Sequence, residues 1–402
     1  MKVLVLGAGG VGNVIAHELA GHQMVEELTV ADANSDVARK VVARIGKGTA
    51  EKVDAADRTS VEQAVRGFDF VINALPPDFN ESVLDAAEKA GAHYMDMASG
   101  TLLDKTVDEG VELALARGER FEAKGIIGLI DTGITPGITN VLIADLCSEL
   151  EPPYAVSIYS YGLVKAKTKI SLWSPITLLL DTAAEPLCYL EGQFRRAEPF
   201  EGQEEYDFPG IGPGTVVYHE HEEVSTIPRF IPGVISTEFR MGDPGILRTK
   251  ALYEAGLLSK KPVQVKGVAI SPLEFIAAMT PPTTTPEELD AKLRSGEVEN
   301  GVASRLVEVE GQRDGERVTL RVVIVTPDLR TAFNEIWGAN HVSYATGVSA
   351  AAFAMAIIEG RTQRRGVLPP ELLEQPARAF VLERVRQRGL DFVRDERPAA
   401  AR

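Results

Sequence analysis

Three glycines near the amino terminus have the spacing G-x-G-x-x-G. Gly7, Gly9 and Gly12 follow a short apolar run and open a helical pattern. In such a turn the first glycine permits the tight backbone, the second lets the backbone approach a pyrophosphate, and the third lets helix and strand lie close together. The helix amino terminus attracts the phosphate charge. Position and spacing therefore predict a dinucleotide-binding turn.

Asp32 lies 20 residues after Gly12, at the end of a second apolar run in LTVADAN. A carboxylate at this place accepts hydrogen bonds from both ribose hydroxyls of NAD and repels the extra phosphate of NADP. The alternative is an ordinary surface aspartate in a turn. Arg39 and Lys40 follow closely. We therefore expect NAD as the cofactor, with NADP as the alternative.

Further cofactor contacts are expected where later strands end. VINALPPDFN places Asn73 at the carboxyl edge of the sheet, where open α/β sheets bind ligands. There Asn73 either lines the nicotinamide ribose or only caps the strand end. The residues predicted to bind the cofactor are Gly7, Gly9, Gly10, Val11, Gly12, Asp32, Asp54, Asn73, Ala74 and Pro76.

GAHYMDMASG brings His93, Tyr94 and Asp96 to the next strand end. Strand alternation places Tyr94 and Asp96 on one face. The methionines beside Asp96 favour a raised carboxyl pKa, which suits proton transfer. The alternatives are that His93 is a core histidine and that Asp96 caps a helix.

DTGITPGITN, residues 131–140, has the composition of tight turns. It follows the last predicted strand and precedes the apolar VLIADL, so we expect it to cross from the cofactor domain into a second unit. Backbone amides near Gly137, with Thr135 and Pro136, are placed to hold a substrate carboxylate, and Asp131 to meet an ammonium group. The alternative is an interdomain hinge.

YHEHEEVSTIP would put His219, His221 and Glu223 on one face of a strand. The spacing is not H-E-x-x-H, and a zinc site needs three converging protein ligands. We therefore predict no metal and expect His221 and Glu223 to meet a charged substrate. A metal hydrolase is the alternative.

The elements that must position these residues are of two kinds. Over the first 130 residues short apolar runs alternate with helical patterns, which predicts an α/β fold with a doubly wound parallel sheet of Rossmann type. Thr59 with Glu62 has the spacing of a capping box, Gly67 is placed to end that helix, and Asn80 and Gly91 bracket the next. Strands are expected at Lys2–Leu6, Leu28–Ala31, near Glu51–Asp54, and at Phe70–Ala74, His93–Met97 and Gly125–Ile130.

Beyond about residue 135 longer strands, hairpins and Pro/Gly-rich connections indicate a second, α+β unit with an antiparallel sheet. LVEVEGQRDGERVTLRVVIV predicts a β-hairpin, and Thr285, Pro286 and Glu288 predict a helix start. NHVSYATGVSAAAFAMAIIEG predicts a buried helix that ends at Gly360 and packs back on the first unit. The predicted domains are 1–132 completed by 336–392, then 133–335, with a loose tail at 393–402.

Composition narrows the partners. The chain has 402 residues, of which 42 are basic and 58 acidic, for a net charge of −16. This charge disfavours nucleic acid and anionic membranes as partners and favours small molecules. Cys147 and Cys188 are too few for a disulfide framework, and the first apolar run breaks at glycine too early for a signal peptide or a membrane span. We expect a cytoplasmic protein.

The chain resembles the saccharopine dehydrogenase family, and more narrowly its bacterial branch, which includes lysine 6-dehydrogenases. The motifs that carry the resemblance are GAGGVG, VINALPPDFN, GAHYMDM, DTGITPGITN, YATG and RRGVLPPE. The similarity spans nearly the whole chain and is loosest over 160–280. It implies a Rossmann domain completed by C-terminal helices, a second domain for substrate binding and dimerisation, and hydride transfer between an amine carbon and NAD(P). The family's tyrosine/aspartate strand end matches Tyr94 and Asp96, and its Pro-Gly turn matches Pro136–Gly137.

The resemblance implies an oxidoreductase that deaminates a lysine-type amino acid oxidatively at a CH–NH carbon. Saccharopine cleavage and NAD(P) binding without turnover are the alternatives. We expect a homodimer or a higher homo-oligomer. The expected catalytic residues are Asp96, Asp131 and Tyr94, and the expected substrate contacts are His93, Thr135, Pro136, Gly137, His221 and Glu223.

Overall fold

The computed structural model describes residues 1–100 and 105–398. The chain divides into two compact units, each built from separate segments. The first unit contains Met1–Pro152, Ser225–Gly233 and Val342–Asp391; the second contains Pro153–Val224, Val234–His341 and the residues from Phe392 onward. The strands, numbered in chain order, are β1 Lys2–Leu6, β2 Glu27–Asp32, β3 Thr49–Lys52, β4 Phe70–Asn73, β5 His93–Asp96, β6 Ile127–Leu129, β7 Glu151–Ala166, β8 Leu187–Leu190, β9 Gln193–Arg196, β10 Glu204–Phe208, β11 Gly212–Tyr218, β12 Val234–Gly242, β13 Val263–Val265, β14 Val268–Ile270, β15 Val298–Arg313, β16 Glu316–Val325, β17 Gly366–Leu368 and β18 Asp391–Pro398. The α-helices are α1 Gly10–Ala20, α2 Ser35–Ile45, α3 Arg58–Val65, α4 Asn80–Ala90, α5 Val107–Leu115, α6 Gly118–Ala123, α7 Ile138–Cys147, α8 Pro175–Thr182, α9 Glu222–Phe230, α10 Ile246–Glu254, α11 Pro272–Met279, α12 Pro286–Ser295, α13 Leu329–Glu335, α14 His341–Ile358 and α15 Gln375–Arg386.

The first unit is built on a parallel sheet. Within the described residues it has seven strands in the order β17-β6-β5-β4-β1-β2-β3, and every neighbouring pair runs parallel. Except for the edge strand β3, its strands are buried along most of their length, as expected when helices cover both faces. The predicted Rossmann-type α/β fold is confirmed.

Helix α14 is the predicted buried helix, and Gly360 follows its end with φ 65°. By length and composition α14 could cross a membrane, but 89% of it is buried inside the protein, as in a core helix. Gly347 lets it approach α1, since a Cβ there would lie 2.5 Å from the Cβ of Val14. The segment from α14 through α15 therefore belongs to the first unit.

Some local predictions for the first unit were wrong. Helix α3 is capped by Asp57, whose side chain accepts the Thr59 N–H, because the helix begins one residue before Thr59. The first compact unit extends past the boundary predicted at 132/133 to residue 152, because α7 stays in it, where Arg378 binds Asp145. The boundary predicted at 335/336 lies at 341/342.

The second unit is built on a mixed sheet. Among the described residues, β10-β11-β12-β7-β15-β16-β18 follow one another, while β8 pairs with β12 and β9 pairs with β8. The expected antiparallel sheet is wrong for the pair of β12 and β7, which run parallel. The hairpin of β15 and β16 is confirmed, with Asp314 and Gly315 at positive φ in its turn. Thr285 caps α12 in the predicted capping box with Glu288.

The tail predicted to be loose is largely a strand. Residues 391–398 form β18 at the edge of the second sheet. Arg321 and Arg313 form ion pairs with Asp395 and Glu396 there, which explains why a charged segment is held in place. Residues 399–402 of the predicted tail lie outside the described residues.

Candidate active site

The glycine-rich turn excludes side chains at two positions and leaves space at a third. Gly7 has φ 95°, and a Cβ there would lie 2.6 Å from the carbonyl oxygen of Ala74. A Cβ on Gly12 would lie 1.9 Å from the Gly7 carbonyl oxygen. A Cβ on Gly9 would meet nothing within 4 Å in the described chain. The backbone at Gly9, just before α1, is therefore open to a ligand, and the turn fits a dinucleotide pyrophosphate.

Gly10 and Val11 form the first turn of α1 and contact the late helix. A Cβ on Gly10 would lie 3.0 Å from the Cβ of Ser343 in α14. The carbonyl oxygen of Val11 lies 3.0 Å from a Cβ built on Gly347. These small residues place α14 against the glycine-rich turn.

Asp32 lies at the end of β2 and binds the same turn. Its Oδ2 accepts the Ala8 N–H at 2.9 Å and its Oδ1 accepts the Asn34 N–H at 2.8 Å. Each oxygen keeps a lone pair for a ribose hydroxyl. Arg39 forms an ion pair with Asp36, one turn into α2. The carboxylate therefore stands where the NAD-reading residue was predicted, and it also holds the turn.

Asp54 and Pro76 lie on the surface. Asp54 follows β3 and accepts the Ala56 N–H at 3.0 Å, while Pro76 precedes a short 3₁₀ turn at Pro77–Phe79. Their contacts with the cofactor stay predictions.

A buried polar network joins the ends of β4 and β5. Asn73, 1% exposed, donates from Nδ2 to the Asn80 side chain at 2.8 Å and to the Tyr94 hydroxyl at 3.2 Å. The Tyr94 hydroxyl donates to Oδ2 of Asp96 at 2.8 Å. Burial, and then the Asp96 carboxylate, raise the pKa of Tyr94 well above its ordinary value. Asn73 thus belongs to this network, and its contact with the nicotinamide ribose stays a prediction.

The network continues to the end of β6. The Asp131 N–H donates to Oδ1 of Asp96 at 3.0 Å, and Oδ1 of Asp131 accepts the Ser99 N–H at 2.8 Å. Asp131 has φ 62° and is fully buried, and Asp96 is 2% exposed. The three residues predicted to be catalytic, Tyr94, Asp96 and Asp131, therefore come together. Their burial favours a positioning role for them, because they fix adjacent strand ends at the ligand-binding edge.

His93 lies at the wrong end of its strand for a substrate contact. It is the first residue of β5, whereas ligands bind at the carboxyl ends of such strands. Its Nδ1 accepts the Ile127 N–H at 3.1 Å. Burial, and then the charge of Arg365, lower its pKa. The half-buried ring therefore holds the neighbouring strand β6, and a substrate contact is not favoured by its position.

The 131–140 loop does not leave the first unit, contrary to the prediction. Gly137 has φ 129°, and a Cβ there would lie 2.1 Å from the Gly133 carbonyl oxygen. Its N–H donates to the side chain of Asn140 at 2.9 Å, and Asn140 donates to Glu371 at 3.0 Å and to Thr226 at 3.2 Å. The Gly137 amide proposed for a substrate carboxylate is therefore occupied by Asn140. Thr135 and Pro136 join through a cis peptide bond within this loop.

His221 and Glu223 do not lie on a strand, contrary to the prediction. Strand β11 ends at Tyr218, and α9 begins at Glu222. This turn brings ligand atoms of His221, Glu222 and Glu223 within 4.8 Å of one another. The His221 ring stacks on Phe239 at 3.8 Å between centroids. Glu222 thus takes the place that the sequence analysis gave to His219.

Charge in this cluster favours a protonated histidine. Burial lowers the pKa of His221, but the carboxylates of Glu223, Glu222 and Asp181 outweigh it and raise the pKa to about 9. Burial, and then Glu222, raise the pKa of Asp181 to about 7. Burial, and then His221, lower the pKa of His219 to about 4. Nδ1 of His221 is bonded to Glu223, so the protonated ring and this carboxylate form a buried ion pair.

Sequence reasoning missed several residues of the buried network. Asn80 was read only as a helix boundary, although it stood inside VINALPPDFN, and its Nδ2 donates to the Ala98 carbonyl at 2.6 Å. Thr132 donates its hydroxyl to the Asp96 carbonyl at 2.5 Å. Asn140 gave no signal beyond its place at the end of a turn-rich segment.

Two family models match the chain. The model described as saccharopine dehydrogenase NADP binding domain matches residues 3–129, and the saccharopine dehydrogenase C-terminal domain matches residues 133–390.

Curated relatives are similar over most of their length. A carboxynorspermidine synthase of Vibrio alginolyticus is 26% identical over 98% of this chain and 96% of its own. A carboxyaminopropylagmatine dehydrogenase of Synechocystis is 26% identical over 93% of each chain. Among solved structures, apo saccharopine dehydrogenase (L-Glu forming) from Saccharomyces cerevisiae superposes with a TM-score of 0.70 at 15% identity, over 99% of this chain and 100% of that one. This last likeness supports the fold.

Proposed function

This chain belongs to the saccharopine dehydrogenase family of NAD(P)-dependent dehydrogenases, and we propose that its substrate is a carboxylated secondary amine of the polyamine type. The observation that carries the proposal is the similarity over 93–98% of the chain to proteins named for carboxynorspermidine and carboxyaminopropylagmatine. Both names describe an amine with a carboxyl group. The proposal replaces lysine as the preferred substrate and keeps reaction at a C–N bond.

The first unit supplies the cofactor site. Gly9 and the amino terminus of α1 would hold the pyrophosphate, and Asp32 would hold the adenosine ribose. When bound, the nicotinamide cofactor accepts a hydride from an amine carbon or supplies one to an imine. The network of Asn73, Tyr94 and Asp96 keeps the edge of the sheet rigid where the reaction takes place.

The charge of the protein supports a cationic substrate. The net charge is −16, and the second unit carries Asp181, Glu222 and Glu223 around a single imidazolium. Oxidation of an amine requires its free base. For an ammonium of pKa ~10.4, deprotonation at pH 7 costs roughly 4.6 kcal/mol. We therefore expect the rate of oxidation to rise toward alkaline pH.

The proposal is tested with the purified chain and a panel of amines. Carboxynorspermidine, norspermidine, saccharopine and lysine are each incubated with NAD or NADP, and reduced cofactor is followed by absorbance. We expect carboxynorspermidine to give the highest kcat/KM. Preferred turnover of lysine would return the substrate to the lysine class. Cofactor binding without turnover of any amine would favour a non-catalytic protein.

A further inference from the structure

An arginine in the second unit is buried without a counterion among the residues that the structure describes. Arg305, on β15, is 5% exposed, and its Nε and Nη1 are shielded from solvent without a hydrogen-bond partner in residues 1–100 and 105–398. Burial alone lowers its pKa to about 10, so the guanidinium remains charged at neutral pH. A buried charge without a partner is strongly unfavourable.

The other buried arginine of the described chain shows the usual solution. Arg117, in the first unit, is 7% exposed and donates from Nε to Asp85 at 2.8 Å, with Glu81 at 3.5 Å. Acidic residues outnumber basic ones in this protein, 58 to 42. A shortage of acidic residues therefore does not explain why Arg305 has no carboxylate partner among the described residues.

His341 lies on the same face of β15. Gly301 and Arg305 are four residues apart on the strand, so their side-chain positions share one face. A Cβ on Gly301 would lie 2.8 Å from Cε1 of His341 and 3.0 Å from its Nδ1. The imidazole therefore fills the space over Gly301, on the face from which Arg305 projects.

His341 also has an unused polar atom. The residue is 3% exposed, and its Nδ1 has no hydrogen-bond partner in the described ranges. Burial, and then the Arg305 charge, lower the pKa of His341 to about 4, so the ring is neutral at pH 7. The nearby charge of Asp328 raises the pKa of His341, but by less than these effects lower it. The Asp328 carboxylate accepts hydrogen bonds from the Asn300 side chain and from the Thr331 N–H, where it caps α13.

We propose that Arg305 and His341 bind a carboxylate group of the substrate. The guanidinium offers charged N–H donors at Nε and Nη1, and a neutral imidazole protonated at Nδ1 offers one more. The inference rests on the proposed function for naming a carboxylated substrate. A phosphate of the cofactor has related chemistry, and the test separates the two.

The first arm uses the protein without substrate. We compare thermal unfolding of the wild type, Arg305→Met and the surface control Arg317→Met, each with succinate or with chloride at equal ionic strength. Without succinate, Arg305→Met should unfold at the wild-type temperature or above, because it removes an unpaired buried charge. Succinate should raise the unfolding temperature of the wild type and the control but not of Arg305→Met.

A much lower unfolding temperature of Arg305→Met without succinate would assign Arg305 to the fold, and an equal succinate response in all three proteins would exclude the site. Either result overturns the proposal. Arg305→Lys is measured beside Arg305→Met. Lysine keeps the charge but loses the planar set of N–H donors, so the succinate response should fall; an undiminished response would overturn the proposal.

The second arm measures specificity. For Arg305→Met we expect KM for carboxynorspermidine to rise about 10- to 100-fold, with KM for norspermidine and Kd for NADP unchanged. A selective rise in Kd for NADP would assign the anion to the cofactor and overturn the proposal. If the wild type turns over no amine, the proposed function fails, and the succinate arm still decides the anion site.

Discussion

Replacement of Asp32 by asparagine tests whether this carboxylate selects NAD over NADP. The matching family model is described as NADP binding, whereas the carboxylate at the end of β2 favours NAD. Asp32→Asn preserves size and removes the charge. Its amide has one acceptor oxygen, whereas the carboxylate uses one oxygen for Ala8 and the other for Asn34.

The expected change in cofactor affinity has two parts, one for NAD and one for NADP. A hydrogen bond to a charged group contributes about 1.5–3 kcal/mol, so the loss at the ribose should weaken NAD binding roughly 10- to 150-fold. The NADP complex loses a like-charge repulsion at the same point, so its affinity should stay equal or improve. Disturbance of the turn at Ala8 or Asn34 affects both cofactors alike and cancels in the ratio of their Kd values.

The assay is a titration of each reduced cofactor by fluorescence, with Asp36→Asn as the matched control. Asp36 lies four residues after Asp32 in the sequence, in the first turn of α2, and is exposed, with Arg39 as its partner. We expect the NAD preference to fall at least tenfold in Asp32→Asn and to stay constant in the control. Equal weakening of both cofactors would refute the reasoning and leave Asp32 only the role of holding the turn.

Three further predictions concern the two units. Gly9→Ala should keep the wild-type unfolding temperature but bind the cofactor roughly tenfold more weakly, whereas Gly12→Ala should lose about 1–3 kcal/mol of unfolding free energy because its Cβ clashes. Calorimetry with and without cofactor measures both effects. Wild-type cofactor binding by Gly9→Ala would contradict the open approach to the backbone at Gly9. Folding raises the pKa of His221 from 6.5 to about 9, so protonation of this ring stabilises the fold fully below pH 6.5, and the stabilisation is lost as the pH rises through 9. In His221→Gln the urea denaturation midpoint should therefore change less with pH across this window. A wild-type pH dependence in the variant would show that other groups cause it. Asp96→Asn turns an NH₂ group toward Tyr94 or the Asp131 N–H and should lower the unfolding free energy by about 1–3 kcal/mol, measured by urea denaturation; an unchanged midpoint would mean that these bonds contribute little.

The first half of the fold could be predicted because its signals are local. Runs such as Lys2–Leu6, the glycines of the turn and the Gly91 cap each act within a few residues. Strand β17 was missed because three residues, Gly366–Leu368, are too short to show a period. The cap at Asp57 was missed because Thr59 offered a competing capping box.

The site could be predicted only as a set of residues near strand ends. The sequence indicated that Tyr94 and Asp96 share a face, and they are bonded to each other. It could not show that Asp131 is buried beside them, because that depends on the pairing of β5 with β6. Arg305 gave no signal, since an unpaired buried charge is recognisable only when its surroundings are known.

The position of β17 bears on how the protein folds during synthesis. This strand pairs with β6, although the two are separated by more than half of the chain. Until the ribosome has released residues 366–368, the hydrogen-bonding groups along β6 lack their final neighbour, and Glu371 has not yet reached Asn140. Nascent chains therefore carry an open sheet edge for a long time, a state that promotes aggregation and that chaperones protect. Closure of the dinucleotide-binding domain must be among the last folding events.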